Sequence, residues 1–278
     1  MRKKLISLAL VTATFALTAA AQFNPFPWDF PQDITIVAEP GQDVLSPYSM
    51  YKGAVEDEEN LLKKTLIFYS TKMTEVGTKK SIVDFDVEVP NALIIPLDKH
   101  ARAKKGDIVL TWWQSGSGIE RAIVVDDSDP TAPKVDYLDM NYKDDPDNPG
   151  FAQRFANDPI KPGTFTVLTN GKWEPGAQVA CKNSYGQWNA GTLIHEKDGK
   201  VLVIGFSSKV IAYNKEDVKL IPFKEDIKVG DEVFAVSVSS YDSGYTVTKI
   251  DQSIGRVWVE KRGSTQVVSI CEVTKVLE

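Results

Sequence analysis

The chain has 278 residues, 42% of them hydrophobic and 25% charged. That is the balance of a folded globular protein, and it excludes a disordered, coiled-coil or collagen-like chain. The formal charge is −6, and without Arg2, Lys3 and Lys4 there are 29 basic residues against 38 acidic ones, or −9. Such a chain lacks the basic surface that holds phosphate backbones or anionic lipid, so nucleic acid is excluded as a partner.

Arg2-Lys3-Lys4, the apolar residues 5–18 and the small residues Ala19-Ala20-Ala21 have the layout of a secretory signal peptide. Cleavage after Ala21 leaves 257 residues, 22–278. The apolar stretch is shorter than the ~20 residues of a membrane span, so no stable membrane insertion is expected after cleavage. The expected location is periplasmic or secreted. Residues 22–32 form an extended arm, because Pro25, Pro27 and Pro31 forbid a helix interior. Phe23, Phe26, Trp28 and Phe30 of the arm either pack back on the body or reach a partner.

Residues 33–104 read as a mostly β N-terminal region. Residues 56–64 place acids before lysines, which suits a short helical turn. Residues 65–73 are β-prone. In residues 81–89, Val83, Phe85, Val87 and Val89 alternate with Asp84, Asp86 and Glu88, the period of a half-buried strand. Apart from a helical stretch at 151–157, the remainder is short strands and turns.

Three segments then share a pattern. Gly106, Gly176 and Gly230 are each followed three residues later by valine (Val109, Val179, Val233). Two residues further on stands a small residue: Thr111, Cys181 or Ala235. A polar glycine-containing turn follows in each, at 115–118, 185–188 and 241–245. Returning strands are expected at 122–125, 191–194 and 245–250, and third strands at 134–138, 200–206 and 255–259. Several strands of about five residues in some fifty residues fit a small SH3-like barrel, which curls its sheet to close the edges. The expected fold is all-β, with tandem barrels at 105–157, 175–224 and 225–278 and a linker at 158–174.

In the second segment, Val179-Ala180, the run from Tyr185 through Gly186, Gln187, Trp188, Asn189 and Ala190 to Gly191, and residues 201–206 ending in Phe206 resemble a Tudor or agenet-type domain. The likeness is closest over 175–222 and looser over 105–276, and Asn189 stands where that family usually has a second aromatic. It implies SH3-like barrels that recognise partners through aromatic residues. Methyl-lysine and chromatin recognition do not carry over, because an exported chain does not meet chromatin.

Catalytic patterns are weak. His100 and His195 stand outside metal-ligand spacings. The residues 115–118 lack the spacing of a nucleophile elbow. Asp139, Asp144, Asp145 and Asp147 lack the spacing of a calcium loop and read as a solvated acidic loop. Cys181 occupies a small inward slot, which argues for packing rather than for a bridge to Cys271 or a reactive thiol. No catalytic residue, metal or cofactor is therefore expected. The candidate binding residues are aromatic: Tyr185, Trp188, Phe206, Tyr213, Trp112, Trp113, Tyr241, Tyr245 and Trp258. Trp112 and Trp113 are consecutive and so point to opposite faces. The expected function is non-catalytic recognition of a peptide, glycan or protein partner of the cell envelope. The alternatives are an envelope hydrolase with its site in 22–104 or the acidic loop, and a structural spacer.

Overall fold

The computed structural model of the protein describes residues 26–48, 59–113, 118–224 and 226–277. The leader, Phe23, the acids at 56–58 and the turn residues 115–117 lie outside them. Within the described residues the fold is almost entirely antiparallel β, and one five-strand unit recurs four times.

The first module comprises β1 (Asp43–Ser46), β2 (Tyr69–Glu75), β3 (Lys80–Val83), β4 (Val87–Pro90) and β5 (Ile95–Pro96). The second comprises β6 (Ile108–Thr111), β7 (Glu120–Asp126), β8 (Lys134–Tyr137), β9 (Asp158–Pro159) and β10 (Thr166–Val167). The third holds β11 (Gln178–Lys182), β12 (Trp188–Lys197), β13 (Lys200–Gly205), β14 (Val210–Asn214) and β15 (Val218–Leu220). The fourth holds β16 (Glu232–Ser237), β17 (Ser240–Asp251), β18 (Arg256–Lys261), β19 (Ser264–Ser269) and β20 (Val273–Thr274). In each, the fifth strand pairs with the first, and the first to fourth follow as a meander. The third and fourth modules join into a ten-stranded sheet where β12 meets β17 at Asn189 and Ser240.

The local chemistry repeats as closely as the topology. Each module opens on a turn whose glycine has φ between +82° and +93°: Gly41, Gly106, Gly176 and Gly230. The amide after that glycine donates to a carbonyl three residues back, as in Asp107 to Lys104 and Ala177 to Glu174. This is the type II geometry, which demands glycine at its third position. The glycine's own amide then donates to the second strand, at Met73, Val124, Leu193 and Val247 respectively. One extra residue follows at each of those points, and the pairing with the third strand shifts register there. A bulge of this kind bends the strand and raises its twist, which lets one long strand serve both neighbours. The valine three residues after each glycine is buried (Val44, Val109, Val179, Val233), as is the small residue after it: Ser46, Thr111, Cys181 and Ala235.

Four expectations change. A fourth copy of the pattern, Gly41-Gln42-Asp43-Val44-Leu45-Ser46, lies in the N-terminal region. Residues 81–89 are a hairpin rather than one strand. Asp84 and Phe85 take left-handed φ values of 45° and 81°, the Asp84 carboxylate accepts from the Lys72 amide, and Phe85 is thrown outward. The expected turn at 241–245 lies inside β17, where Gly244 sits at a register shift, and the hairpin turns instead at Val238 and Ser239. The stretch 158–174, expected as a linker, supplies β9 and β10 to the second sheet.

The modules share a core. Its main cluster gathers Phe68, Leu45 and Ile95 of the first module with Leu110 and Ile123 of the second, Leu202 and Val210 of the third and Cys271 of the fourth. The arm packs back on it: Trp28 and Phe30 are buried, and Trp28 Nε1 donates to the Val210 carbonyl at 2.8 Å. His195 on β12 is buried with Nε2 2.8 Å from the Ile94 carbonyl. Burial lowers its pKa to about 4 against the pull of that hydrogen bond, so the ring is neutral. Cys181 and Cys271 are free, buried thiols in different clusters, and burial pushes them up to about 12 and about 11. Among the described residues, no helix is long and apolar enough to cross a membrane.

Candidate functional site

Where the second, third and fourth modules meet, polar side chains are drawn into the interior. Arg121 enters on β7 next to apolar Ala122 and Ile123, so its guanidinium has little access to water and must find protein partners. It finds them on two modules. Nε donates to both oxygens of Asp139, at 3.0 and 3.1 Å, and Nη2 donates to Oδ1. Nη1 donates to Gln178 Oε1 at 2.5 Å. Gln178 opens β11 and passes the chain on, its Nε2 donating to Tyr241 Oη of β17 at 2.9 Å. Arg256 crosses from the fourth module to the second and donates to the carbonyls of Tyr137, Leu138 and Met140. Burial works against charge on Arg121, but the paired Asp139 carboxylate prevails and raises its pKa. Burial alone decides for Arg256, which is lowered.

Two further carboxyls complete the group. Glu120, the neighbour of Arg121, has its Oε2 buried without a hydrogen-bond partner. Burial first, and then the Asp139 charge, raise it to about 8. Glu272, in the turn before β20, is raised by the same two causes. A buried carboxyl stays protonated when the surroundings cannot stabilise its charge.

These groups floor a cavity of about 340 Å³ lined by Glu120, Arg121, Asp139, Gln178 and Glu272 below, and by Ile119, Ile204, Phe206 and Val238 around them. The volume is at the small end of ligand sites, which run about 300–1,000 Å³. A second cavity of about 240 Å³ adjoins it and contains Cys181, Tyr213 and Lys209. The two share Ala190, Gly205, Phe206 and Ser239. They flank the join of the third and fourth modules, where the Ala190 amide donates to the Ser239 carbonyl at 2.8 Å.

The rim is strained. Phe206, 61% exposed, begins a turn in which Ser207 and Ser208 have φ of 55° and 57°. Val238, 81% exposed, has φ of 60°. A β-branched residue in the left-handed region is a genuine outlier. Two solvent-facing apolar side chains held by costly backbone at one cavity mouth are the kind of strain that gathers at ligand sites.

The nine candidate aromatics do not form one site. Phe206 and Tyr213 come together at the second cavity. Tyr241 is buried, and its hydroxyl belongs to the polar network. Tyr185 stands alone, 88% exposed, at the tip of the β11–β12 hairpin, where Asn183 Oδ1 accepts from its amide. Trp188 is half-buried beneath the ammonium groups of Lys182 and Lys219, at 5.8 and 5.3 Å. Trp112 and Trp113 diverge as expected. Trp112 packs on the shared core, and Trp113 packs 4.8 Å from Phe155 in the second module. Tyr245 is buried in the fourth module. Trp258 is buried too, its Nε1 donating to Asp144 and Lys249 Nζ lying 3.9 Å from its ring centre. The acidic loop is divided: Asp139 turns inward to Arg121, Asp144 binds Trp258, and Asp145 caps its own turn.

Sequence reasoning passed over Glu120, Arg121, Gln178, Val238 and Glu272. A charged pair directly ahead of the apolar run 122–125 was the one available signal, since a buried strand rarely opens on unpaired charges. No model of a known protein family matches the chain, and a search of curated proteins finds no significant match.

Proposed function

We propose that the protein is an exported, non-catalytic binding protein that recognises a peptide, glycan or protein partner of the cell envelope. The signal-peptide layout of residues 1–21 supports export. The fifth-first-second-third-fourth strand order, found in all four modules, supports their being SH3-like barrels, as does the Tudor-like sequence of residues 175–222. The binding site in this reading is the pair of adjoining cavities between the second, third and fourth modules. The carrying observation is the shared, exposed Phe206, which stands at both cavities on a strained turn.

A thermal-shift titration against muropeptides, oligosaccharides and short peptides tests the reading. A ligand at a hundred times its Kd adds about 2.7 kcal/mol of stability. The expected result is a raised midpoint with one ligand class that disappears in Phe206→Ala. No shift with any class, or a shift unchanged in Phe206→Ala, contradicts it. A hydrolase reading has one observation in its favour, the raised pKa of the cavity carboxyl Glu120, as a proton donor requires. It predicts hydrolysis of one of the same ligands, abolished in Glu120→Gln.

A further inference from the structure

We propose that the cavity between the second, third and fourth modules binds its ligand through a primary ammonium group that ion-pairs with Glu120. This rests on the binding reading above and names the chemical class of the ligand.

The donors and acceptors of the cavity floor do not balance. Three carboxyls face it, Glu120, Asp139 and Glu272, with one guanidinium, Arg121. All three nitrogens of Arg121 are already engaged by Asp139 and Gln178. The other nearby guanidinium, Arg256, is turned to backbone carbonyls of the second module. The Ser269 amide donates to Glu272 at 3.1 Å. Tyr241 is held by Gln178, and Cys271 is buried in the shared core. That leaves Glu120, whose Oε2 is buried with no partner at all. A buried acceptor without a donor costs about 1–3 kcal/mol, and a rotation of the Glu120 carboxyl toward the cavity it lines lets a ligand's N–H donors remove that cost.

An ammonium group suits a lining with three carboxyls and one already paired guanidinium as well as it suits the unfilled acceptor. An anionic ligand meets three carboxyls and no free cation on the floor. The apolar rim of Ile119, Ile204, Phe206 and Val238 suits the alkyl stem that carries an ammonium, as lysine side chains bury their methylenes beneath a charged head. Glu120 holds a proton at pH 7 in the empty cavity because its pKa is raised to about 8. Pairing with a cation favours its ionised form, so that proton passes to the buffer on binding.

The test is isothermal titration calorimetry of the full chain at pH 7, in phosphate and in Tris, which differ in ionisation enthalpy. The probes are Nα-acetyl-lysine methylamide and the uncharged Nα-acetyl-norleucine methylamide. The expected result is about tenfold tighter binding of the lysine probe, with net proton release in the parent and loss of the preference in Glu120→Gln. The proton count needs no variant and so survives any folding defect in Glu120→Gln. Equal binding of the two probes, absence of proton release, or no binding of the lysine probe overturns the proposal. If the lysine probe fails while a neutral or anionic ligand gives a Phe206-dependent thermal shift, the charge assignment falls and the binding site stands. If nothing shifts, both fall.

Discussion

Glu120 and His195 are buried groups whose protonation leans in opposite directions. The Glu120 carboxyl is raised from its ordinary 4.5 to about 8, and the His195 imidazole is lowered from 6.5 to about 4. Between pH 4.5 and 8 the folded state keeps a proton on Glu120 that the unfolded chain has released, so stability falls as pH rises through that window. Between pH 6.5 and 4 the unfolded chain binds a proton that folded His195 refuses, so stability also falls toward acid. The two slopes oppose each other between pH 4.5 and 6.5, so the melting temperature is expected to be highest near pH 5.5 and to fall on either side. Glu120→Gln, which cannot titrate, is expected to lessen the alkaline decline, with Glu272 responsible for part of what remains. Parallel melting curves for parent and variant from pH 5.5 to 8.5 would contradict the assignment.

The turn and first strand of each module make the element that recurs. Gly230 has open space around a would-be Cβ, so Gly230→Ala meets only the left-handed backbone, a cost of about 1–2 kcal/mol. At Gly176 the same Cβ falls 2.8 Å from Leu110 Cδ1 and 3.1 Å from its Cβ, inside the shared core. Overpacking adds about 1–3 kcal/mol, so urea midpoints are expected to fall further for Gly176→Ala than for Gly230→Ala. Equal losses would mean that the second and third modules do not press together there. This element was legible in the sequence at Gly106, Gly176 and Gly230, because glycine, valine and a small residue fall at fixed spacing before a prompt return strand. The copy at Gly41 escaped because its return strand, β2, begins only at Tyr69, which breaks the period. Alternation misled at residues 81–89, since a hairpin whose two arms both bury valines alternates as well as a strand does. Phe206 and Tyr213, which line the second cavity, are among the aromatic residues that the sequence picks out. Glu120, Asp139, Gln178 and Glu272 were not legible as site residues, because they lie on three modules and only tertiary packing brings them together.

Among the described residues, the molecule is four copies of one five-strand unit that bury apolar surface against each other. Five strands bury little alone, and here every module contributes to one core cluster. Polar ties cross the same joins, from His195 to Ile94, Arg121 to Gln178, Gln178 to Tyr241, and Arg256 to Tyr137. Differential scanning calorimetry is expected to give one transition with equal calorimetric and van't Hoff enthalpies. Separate transitions would mean that the modules are independent and that the cavity between them is not fixed in shape. The proposed site draws on three modules, so a ligand bound there would touch segments far apart in sequence. Hydrogen–deuterium exchange of the full chain, alone and saturated with whichever ligand gives the largest thermal shift, measures this directly. Slowed exchange is expected together at residues 118–121, 203–208 and 236–240. Slowing confined to residues 183–188 around Tyr185, or to the 84–86 turn of the first module, would contradict a binding site at the junction.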